Sequence, residues 1–592
     1  MENRTYKIDR EESKKMTGFA SIDKPWLKYY KSLDNFEIPR MTIYDSLKKV
    51  CLENSDNEAL YYFGTRISYG KLLGKIDTVA NAFLEKGVKK GDVVSLALPN
   101  IPENTICIYA LNKIGAMVNS IDLTARGEDL IRYLNEANSQ LLVASDVFID
   151  NVDEVLSKTF VKKVIVASPS DSLPPVLKQL YKLKNKKNIP ADDKHELWFD
   201  FEKCGKKSLK YFKDEYSENN GIIILHTSGT TGIPKGVVLT NENFNAMYMQ
   251  YENCGLEFKP NDKFLNQVPP FLAYNIVMAT HLPFMLKMRI VMLPDYQPSK
   301  FAKNVMKYKI NHVVAGPADW NNFREKKDTI KDVSYLKTLA SGSDKMDAAH
   351  KNEVNEILRQ HNCQYKVIEG YGQTEGGCAD STNLPQCYVE NSVGIPLPQM
   401  TFCIYDNEAD KELKYDEEGE ICIYGPTLMK EYYNNSLATS EALRVHSDGK
   451  LWLHTGDLGK INKDGVVFVT GRLKRIIVRY DGIKVSPFKI ENIIKKNPNV
   501  EDCCVVGIFD DENERGAIPI ANIVLKKDTL VDSTQILLDI EKQCKSELGD
   551  RYLPREYLIQ DKLPLTQVGK IDYRELETQN YQLLKGKVLI KK

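Results

Sequence analysis

Apolar positions along the chain alternate between two periods. Leu72, Leu73, Ile76, Val79, Ala80, Phe83 and Leu84 recur at helical steps and predict a helix over 67–86, closed by Gly87 as its C-terminal cap. Asp92-Val-Val-Ser-Leu-Ala-Leu-Pro99 predicts a buried strand. A helix over 102–116, a strand over 117–121, a helix over 128–138 and a strand over 140–145 follow. Strands alternating with helices predict parallel strand–helix–strand units, an α/β class with loops gathered at the strand ends. The stretch 172–220 departs from this. There Lys178, Lys182, Lys184, Lys186 and Lys187 alternate with Leu177, Leu180, Tyr181 and Leu183. Such a basic amphipathic segment suits peripheral contact with a membrane, but a solvated surface helix and loop is the commoner outcome and the expected one. Beyond 472–475 the pattern predicts strands over 503–509 and 518–525, a helix over 533–548 and a strand over 552–559. That is an α+β unit of about a hundred residues. The expected organisation is a large, multi-lobed N-terminal domain over 1–473 and a small C-terminal domain over 474–592.

Composition narrows the function. At ~150 residues per domain, 592 residues exceed a single core. With 42% apolar and 27% charged residues, a mostly disordered chain is excluded. Lys+Arg and Asp+Glu both number 81, so no global field draws the protein to nucleic acid or an anionic membrane. Any polyanionic ligand needs a local site. Twelve cysteines scatter without a C-x-x-C pair, and the eight histidines show no zinc-type spacing. Free thiols in a reducing compartment are expected. Residues 1–16 lack the apolar core of a secretory signal. The longest apolar-leaning stretch, 265–293, is broken by Pro269, Pro270, Asn275, His281, Pro283 and Lys287, short of the ~20 residues of a membrane span. A soluble, cytoplasmic protein is expected; oligomeric state leaves no mark in the sequence.

The sharpest local feature is Gly221-Ile-Ile-Ile-Leu-His-Thr-Ser-Gly-Thr-Thr-Gly-Ile-Pro-Lys-Gly236, an apolar strand running into a loop of hydroxyls and glycines. Gly229 and Gly232 let backbone N–H groups turn inward as an anion nest, and Thr227, Ser228, Thr230 and Thr231 add hydroxyl donors. Lys235 supplies charge for a phosphate chain. The loop is not a Walker A motif, which requires Gly where Pro234 stands and Ser or Thr where Gly236 stands.

This loop resembles the signature of the AMP-forming adenylating enzymes: acyl-CoA synthetases, peptide-synthetase adenylation domains and firefly luciferase. Four further segments match that family in order, so the resemblance spans about 44–577. In Glu369-Gly-Tyr-Gly-Gln-Thr-Glu375, it implies a nucleotide-lining turn through Gly370 and Gly372. Tyr371 would stack on adenine, Thr374 donate to the α-phosphate, and Glu375, with Thr230, hold Mg2+. In His454-Thr-Gly-Asp-Leu-Gly459, Asp457 resembles the carboxylate that grips both ribose hydroxyls. In the segment from Gly471, Arg472 resembles the arginine on ribose and phosphate. Lys474 falls at the hinge of a mobile small domain, and Gly482 resembles the glycine that admits the thiol. The spacing from Arg472 to Gly482 is one residue longer than in the commonest members, which leaves roles between Ile476 and Asp481 open. In Leu563-Pro-Leu-Thr-Gln-Val-Gly-Lys570, Lys570 resembles the catalytic lysine of adenylation.

The resemblance implies a two-step reaction using ATP, Mg2+ and CoA. A carboxylate attacks the α-phosphate to give an acyl-adenylate and pyrophosphate, and a thiol then takes the acyl group. By the same resemblance Phe271, Tyr274, Trp320, Ser341, Gly342 and Ser343 line the acyl pocket and adenine edge. Gln267-Val-Pro-Pro-Phe-Leu-Ala-Tyr-Asn-Ile276 lacks the Asp with which peptide-synthetase domains pair an amine, and no carrier domain is expected after Lys592. Both points favour a CoA ligase with an uncharged acyl tail, with a medium- or long-chain fatty acid as the leaning. Many CoA ligases carry His where Leu272 stands and Gly where Asn275 stands, so no particular acid is implied. An acyl-AMP ligase loading a carrier protein, a non-catalytic nucleotide binder and luciferase-type oxygenation stay open as alternatives.

Overall fold

The computed structural model describes residues 16–30, 36–185, 192–227, 234–509, 516–527, 529–565 and 570–590. The predicted alternation forms with small shifts at the ends. The first long helix is Tyr69–Glu85, two residues shorter at its start than the apolar stripe suggests, because the Ser68 hydroxyl accepts from Lys71 N–H and caps it there. Gly87 follows with φ +84°, and Val88 N–H reaches back to the Phe83 carbonyl, a left-handed closure that suits glycine. Strands Val93–Ala97, Met117–Ser120 and Leu141–Ser145 alternate with helices Pro102–Lys113 and Gly127–Glu136.

The chain divides into two compact units. The first comprises Met1–Cys403, Cys422–His454 and Asn462–Val467. It holds two large sheets. In the eight-stranded sheet the five strands above and below Val93–Ala97, from Gly221–Thr227 to His195–Leu197, run parallel. Lys235–Thr240 then returns antiparallel along Gly221–Thr227. In the nine-stranded sheet a parallel centre places Lys263–Asn266, His312–Ala315, Thr338–Ser341 and Ile368–Tyr371 side by side. A core of Leu265, Val313, Leu339, Phe301, Phe323 and Trp320 packs on this second sheet. Trp320 has no exposed surface and meets Phe301 edge to face at 5.2 Å. The helix Pro317–Glu325 turns the Trp320 indole into this core.

The second unit comprises Ile404–Ile421, Thr455–Ile461 and Phe468–Lys592. In it Val500–Phe509 pairs antiparallel with Ala517–Leu525, which pairs parallel with Glu556–Ile559. Pro487–Ile494 and Ser533–Leu548 cover the sheet through Ile490, Ile494, Ile536 and Ile540. All twelve cysteines are free thiols. The lysine-rich helix Pro175–Lys184 buries none of its residues. Among the described residues, no helix is long and apolar enough to cross a membrane.

Candidate active site

Parallel strands deliver whatever follows them to one edge of the sheet, the usual place for a ligand in open α/β folds. In the nine-stranded sheet of the first unit that edge collects three predicted segments. Phe271 and Tyr274 follow Lys263–Asn266, and Gly342 and Ser343 follow Thr338–Ser341. Thr374 and Glu375 form a single 3-10 turn just after Ile368–Tyr371. Register ties the strand ends together: Ser341 pairs with Ala315 on one side and Glu369 on the other. A Cβ on Gly342 would lie 2.9 Å from the Tyr274 hydroxyl oxygen, so that glycine is what lets the tyrosine approach. A Cβ on Gly372 would lie 2.2 Å from the Cys378 carbonyl oxygen; only glycine lets the Tyr371–Glu375 turn fold back this tightly. A Cβ on Gly370 would likewise lie 2.9 Å from the Ser381 carbonyl oxygen of its partner strand. Tyr371 is half-buried, with its ring 6.4 Å from Phe402.

The phosphate-type hairpin approaches this turn through a residue that sequence reasoning missed. Glu431–Tyr432 pairs antiparallel with Lys235–Thr240. The Tyr432 hydroxyl donates to Glu375 Oε1 at 2.8 Å, and Lys235 Nζ stands over the same ring, 4.6 Å from its centroid. One aromatic thus spaces the lysine and the carboxylate. Only the hairpin pairing reveals it, because a two-residue strand has no readable period. Thr227 Oγ1 donates to the Lys235 carbonyl at 3.4 Å and closes the base of the loop. Ser228, Gly229, Thr230, Thr231 and Gly232 lie outside the described residues.

Two observations bear on ligands. Ser341 Oγ and Gln373 Nε2 are buried without a hydrogen-bond partner among the described residues. An unpaired buried polar atom costs about 1–3 kcal/mol, which a polar ligand at these strand ends relieves. Glu375 is a half-buried carboxylate of the hard oxygen type that suits Mg2+. The wall behind Phe271 and Tyr274 is polar but already satisfied. Asn275 donates to Asn266 and Asn100 side chains, which pins the turn where Gly is common in the resembled family. Asp319, also missed in the sequence, is buried, and desolvation raises its carboxyl to about 6. It accepts from Gln267 Nε2 at 2.9 Å on one oxygen and from Gly316 N–H at 3.0 Å on the other, the second serving the helix cap.

In the second unit Thr455 donates to the Ile421 carbonyl and accepts from Asp457 N–H, while Glu420 accepts from Gly456 N–H. This turn presents the Asp457 carboxylate, which Arg472 Nε approaches at 3.2 Å. Asp457 and Arg472, taken from two separate motifs, therefore lie side by side. Lys474 is exposed in the turn Leu473–Arg475, and the next residue is clamped. Arg475 pairs with Glu491 at 2.7 Å, donates to the Val505 carbonyl and stacks 4.0 Å from the Tyr573 ring. A freely exposed residue beside a locked one is a suitable place for backbone rotation. Gly482 sits in the turn between Ile477–Val478 and Lys484–Val485 with φ +79°, and a Cβ there would meet only open space. Lys570 is exposed beside Ile571, which bridges to Leu565 across the loop base.

The family model "AMP-binding enzyme" matches residues 47–433, and the "AMP-binding enzyme C-terminal domain" matches 489–570. A long-chain-fatty-acid–CoA ligase of Bacillus subtilis is 27% identical over 575 residues, covering 95% of this chain and 99% of that protein. A probable 4-coumarate–CoA ligase 1 of Dictyostelium discoideum is 28% identical over 474 residues, covering 78% and 81% respectively. Among solved structures, ATP-bound MatB from Rhodopseudomonas palustris superposes with a TM-score of 0.76 at 22% identity, over 90% of this chain and 98% of that one. Strand-end loops, the hydroxyl-rich hairpin and the paired Asp457 and Arg472 thus have one common explanation: the chain belongs to the AMP-binding enzyme family.

Proposed function

We propose that this protein, an AMP-forming acid–thiol ligase, converts an uncharged, apolar carboxylic acid of medium or long chain into its CoA thioester. In the first half-reaction a carboxylate oxygen attacks the α-phosphorus of ATP; the bond to the β-phosphate bridging oxygen breaks, giving acyl-AMP and pyrophosphate. In the second, the CoA thiolate attacks the acyl carbon and AMP leaves. Two anions must meet in the first step, so fixed positive charge lowers its barrier. Lys235 and the Ser228–Gly232 loop bind the phosphate chain, Thr374 orients the α-phosphate and Lys570 neutralises the charge that develops there. Asp457 and Arg472 hold the ribose, and Tyr371 stacks on the base. Glu375 is the residue that would hold magnesium, whose role is to neutralise phosphate oxygens. Turning the chain beyond 473 about Lys474 exchanges Lys570 for Gly482, which leaves room for the thiol.

The observation that carries the choice of acid is Asp319. The buried carboxylate beside Gln267 is committed to a helix cap, so no charged partner is provided there for a substrate amine. The glycine at 342 and the neutral Tyr274 supply an uncharged wall. The test is a panel of acids incubated with ATP, Mg2+ and CoA, with thioesters identified by mass. Thioesters of fatty acids at rates exceeding those of amino acids and hydroxycinnamates support the reading. Turnover confined to amino acids, or adenylate without thioester, overturns it.

A further inference from the structure

Three ligand-type side chains that the sequence scatters are folded together in the first unit. Cys422 lies on Gly419–Tyr424, and His454 lies on the adjoining Leu451–Ile461. His446 follows Leu443–Val445, which pairs antiparallel with the start of that second strand. The turn 446–450 closes when Gly449 N–H donates to the His446 carbonyl, at a glycine with φ +74°. This folds the His446 ring flat against Trp452, 5.1 Å away and 10° from parallel. Trp452 is itself held by its indole N–H on Asp448 at 3.2 Å. Cys422 Sγ then lies 3.5 Å from His454 Nδ1, and His446 Nε2 lies 3.0 Å from His454 Nε2. One donor atom from each of the three residues falls within 4.8 Å of the others, and Cys422 and His454 are buried.

From Zn–S of about 2.3 Å and Zn–N of about 2.0 Å, a tetrahedral zinc ion spaces its S and N ligands by about 3.5 Å. The Cys422–His454 separation already has that value. We infer that Cys422, His446 and His454 form a site for a thiolate- and imidazole-preferring divalent ion, Zn2+, with a water as fourth ligand. His446 already offers one ring nitrogen within 4.8 Å of the ligand atoms of Cys422 and His454. Binding converts Cys422 S–H to a zinc thiolate and releases one proton to solvent. The ion ties three strand segments together just before the Thr455–Asp457 turn.

The full chain, stripped with a chelator, is titrated with Co2+ and then Zn2+. The expected result is one equivalent of cobalt with a thiolate-to-metal charge-transfer band, displaced by one equivalent of zinc. The band disappears in Cys422→Ser, and the half-surface variant His446→Asn binds at least about tenfold more weakly with its melting profile unchanged. No stoichiometric thiolate band in the full chain overturns the inference. So does a band of unaltered affinity in both variants, which would place the metal on other cysteines.

Discussion

Tyr432→Phe is the most informative single change, because the tyrosine does two separable things. Its hydroxyl donates to the Glu375 carboxylate at 2.8 Å, and its ring carries Lys235 Nζ at 4.6 Å. A hydrogen bond to a charged group contributes about 1.5–3 kcal/mol, or roughly 10- to 150-fold. The cation–ring contact, half-exposed, contributes about 0.5–1 kcal/mol, a factor of about 2–5. Phe removes only the first; Leu removes both. The assay is acid-dependent ATP–pyrophosphate exchange over a magnesium titration. Tyr432→Phe is expected to lower the exchange rate by at least about tenfold and to shift half-saturation to higher magnesium. Tyr432→Leu is expected to lose a further factor of about 2–5. Exchange in Tyr432→Phe within about twofold of the parent, at an unchanged magnesium requirement, refutes the role given to the hydroxyl–carboxylate contact.

Two further changes probe stability. Arg475→Met leaves Glu491 without its ion pair and Val505 without a donor; with the pair about a quarter exposed or less, roughly 2–3 kcal/mol of unfolding free energy should disappear, and a loss below about 0.5 kcal/mol in a urea titration contradicts the clamp. Glu103 is buried at the start of its helix, hydrogen-bonded to Ser172, and desolvation raises its carboxyl from 4.5 to about 7. The folded state therefore keeps a proton the unfolded chain has released, so stability falls as pH rises from about 4.5 through about 7, by up to about 3 kcal/mol. Glu103→Gln removes that slope; its melting-temperature advantage over the parent should grow between pH 5 and pH 8, and a constant difference contradicts it.

What the sequence made legible followed from periods and from contiguous motifs. The stripe ending at Phe83 and Leu84 predicted a helix correctly because its register depends only on neighbours three and four apart. The C-terminal strands were legible because each is a short apolar run. Strand direction carries no such signal. Lys235–Thr240 has the composition of its parallel neighbours, yet runs antiparallel because its loop is too short for a crossover. The direction of a helix face is equally silent: an aromatic such as Trp320 reads the same from sequence whether its side chain turns outward or, as here, against Phe301 and Phe323. Tyr432 and the trio Cys422, His446 and His454 depend on pairing between strands far apart in the chain. The fold, not any spacing in the sequence, brings those three side chains within 4.8 Å of one another.

In the proposed reaction a carboxyl oxygen displaces pyrophosphate from ATP, and the identity of the nucleotide product measures this most directly. The purified full chain, given ATP, Mg2+, CoA and a fatty acid, is quenched and its nucleotides and phosphates are separated. AMP and pyrophosphate in equal amounts, matched by thioester, are predicted. ADP and inorganic phosphate, or AMP released without any dependence on the acid, would contradict the account.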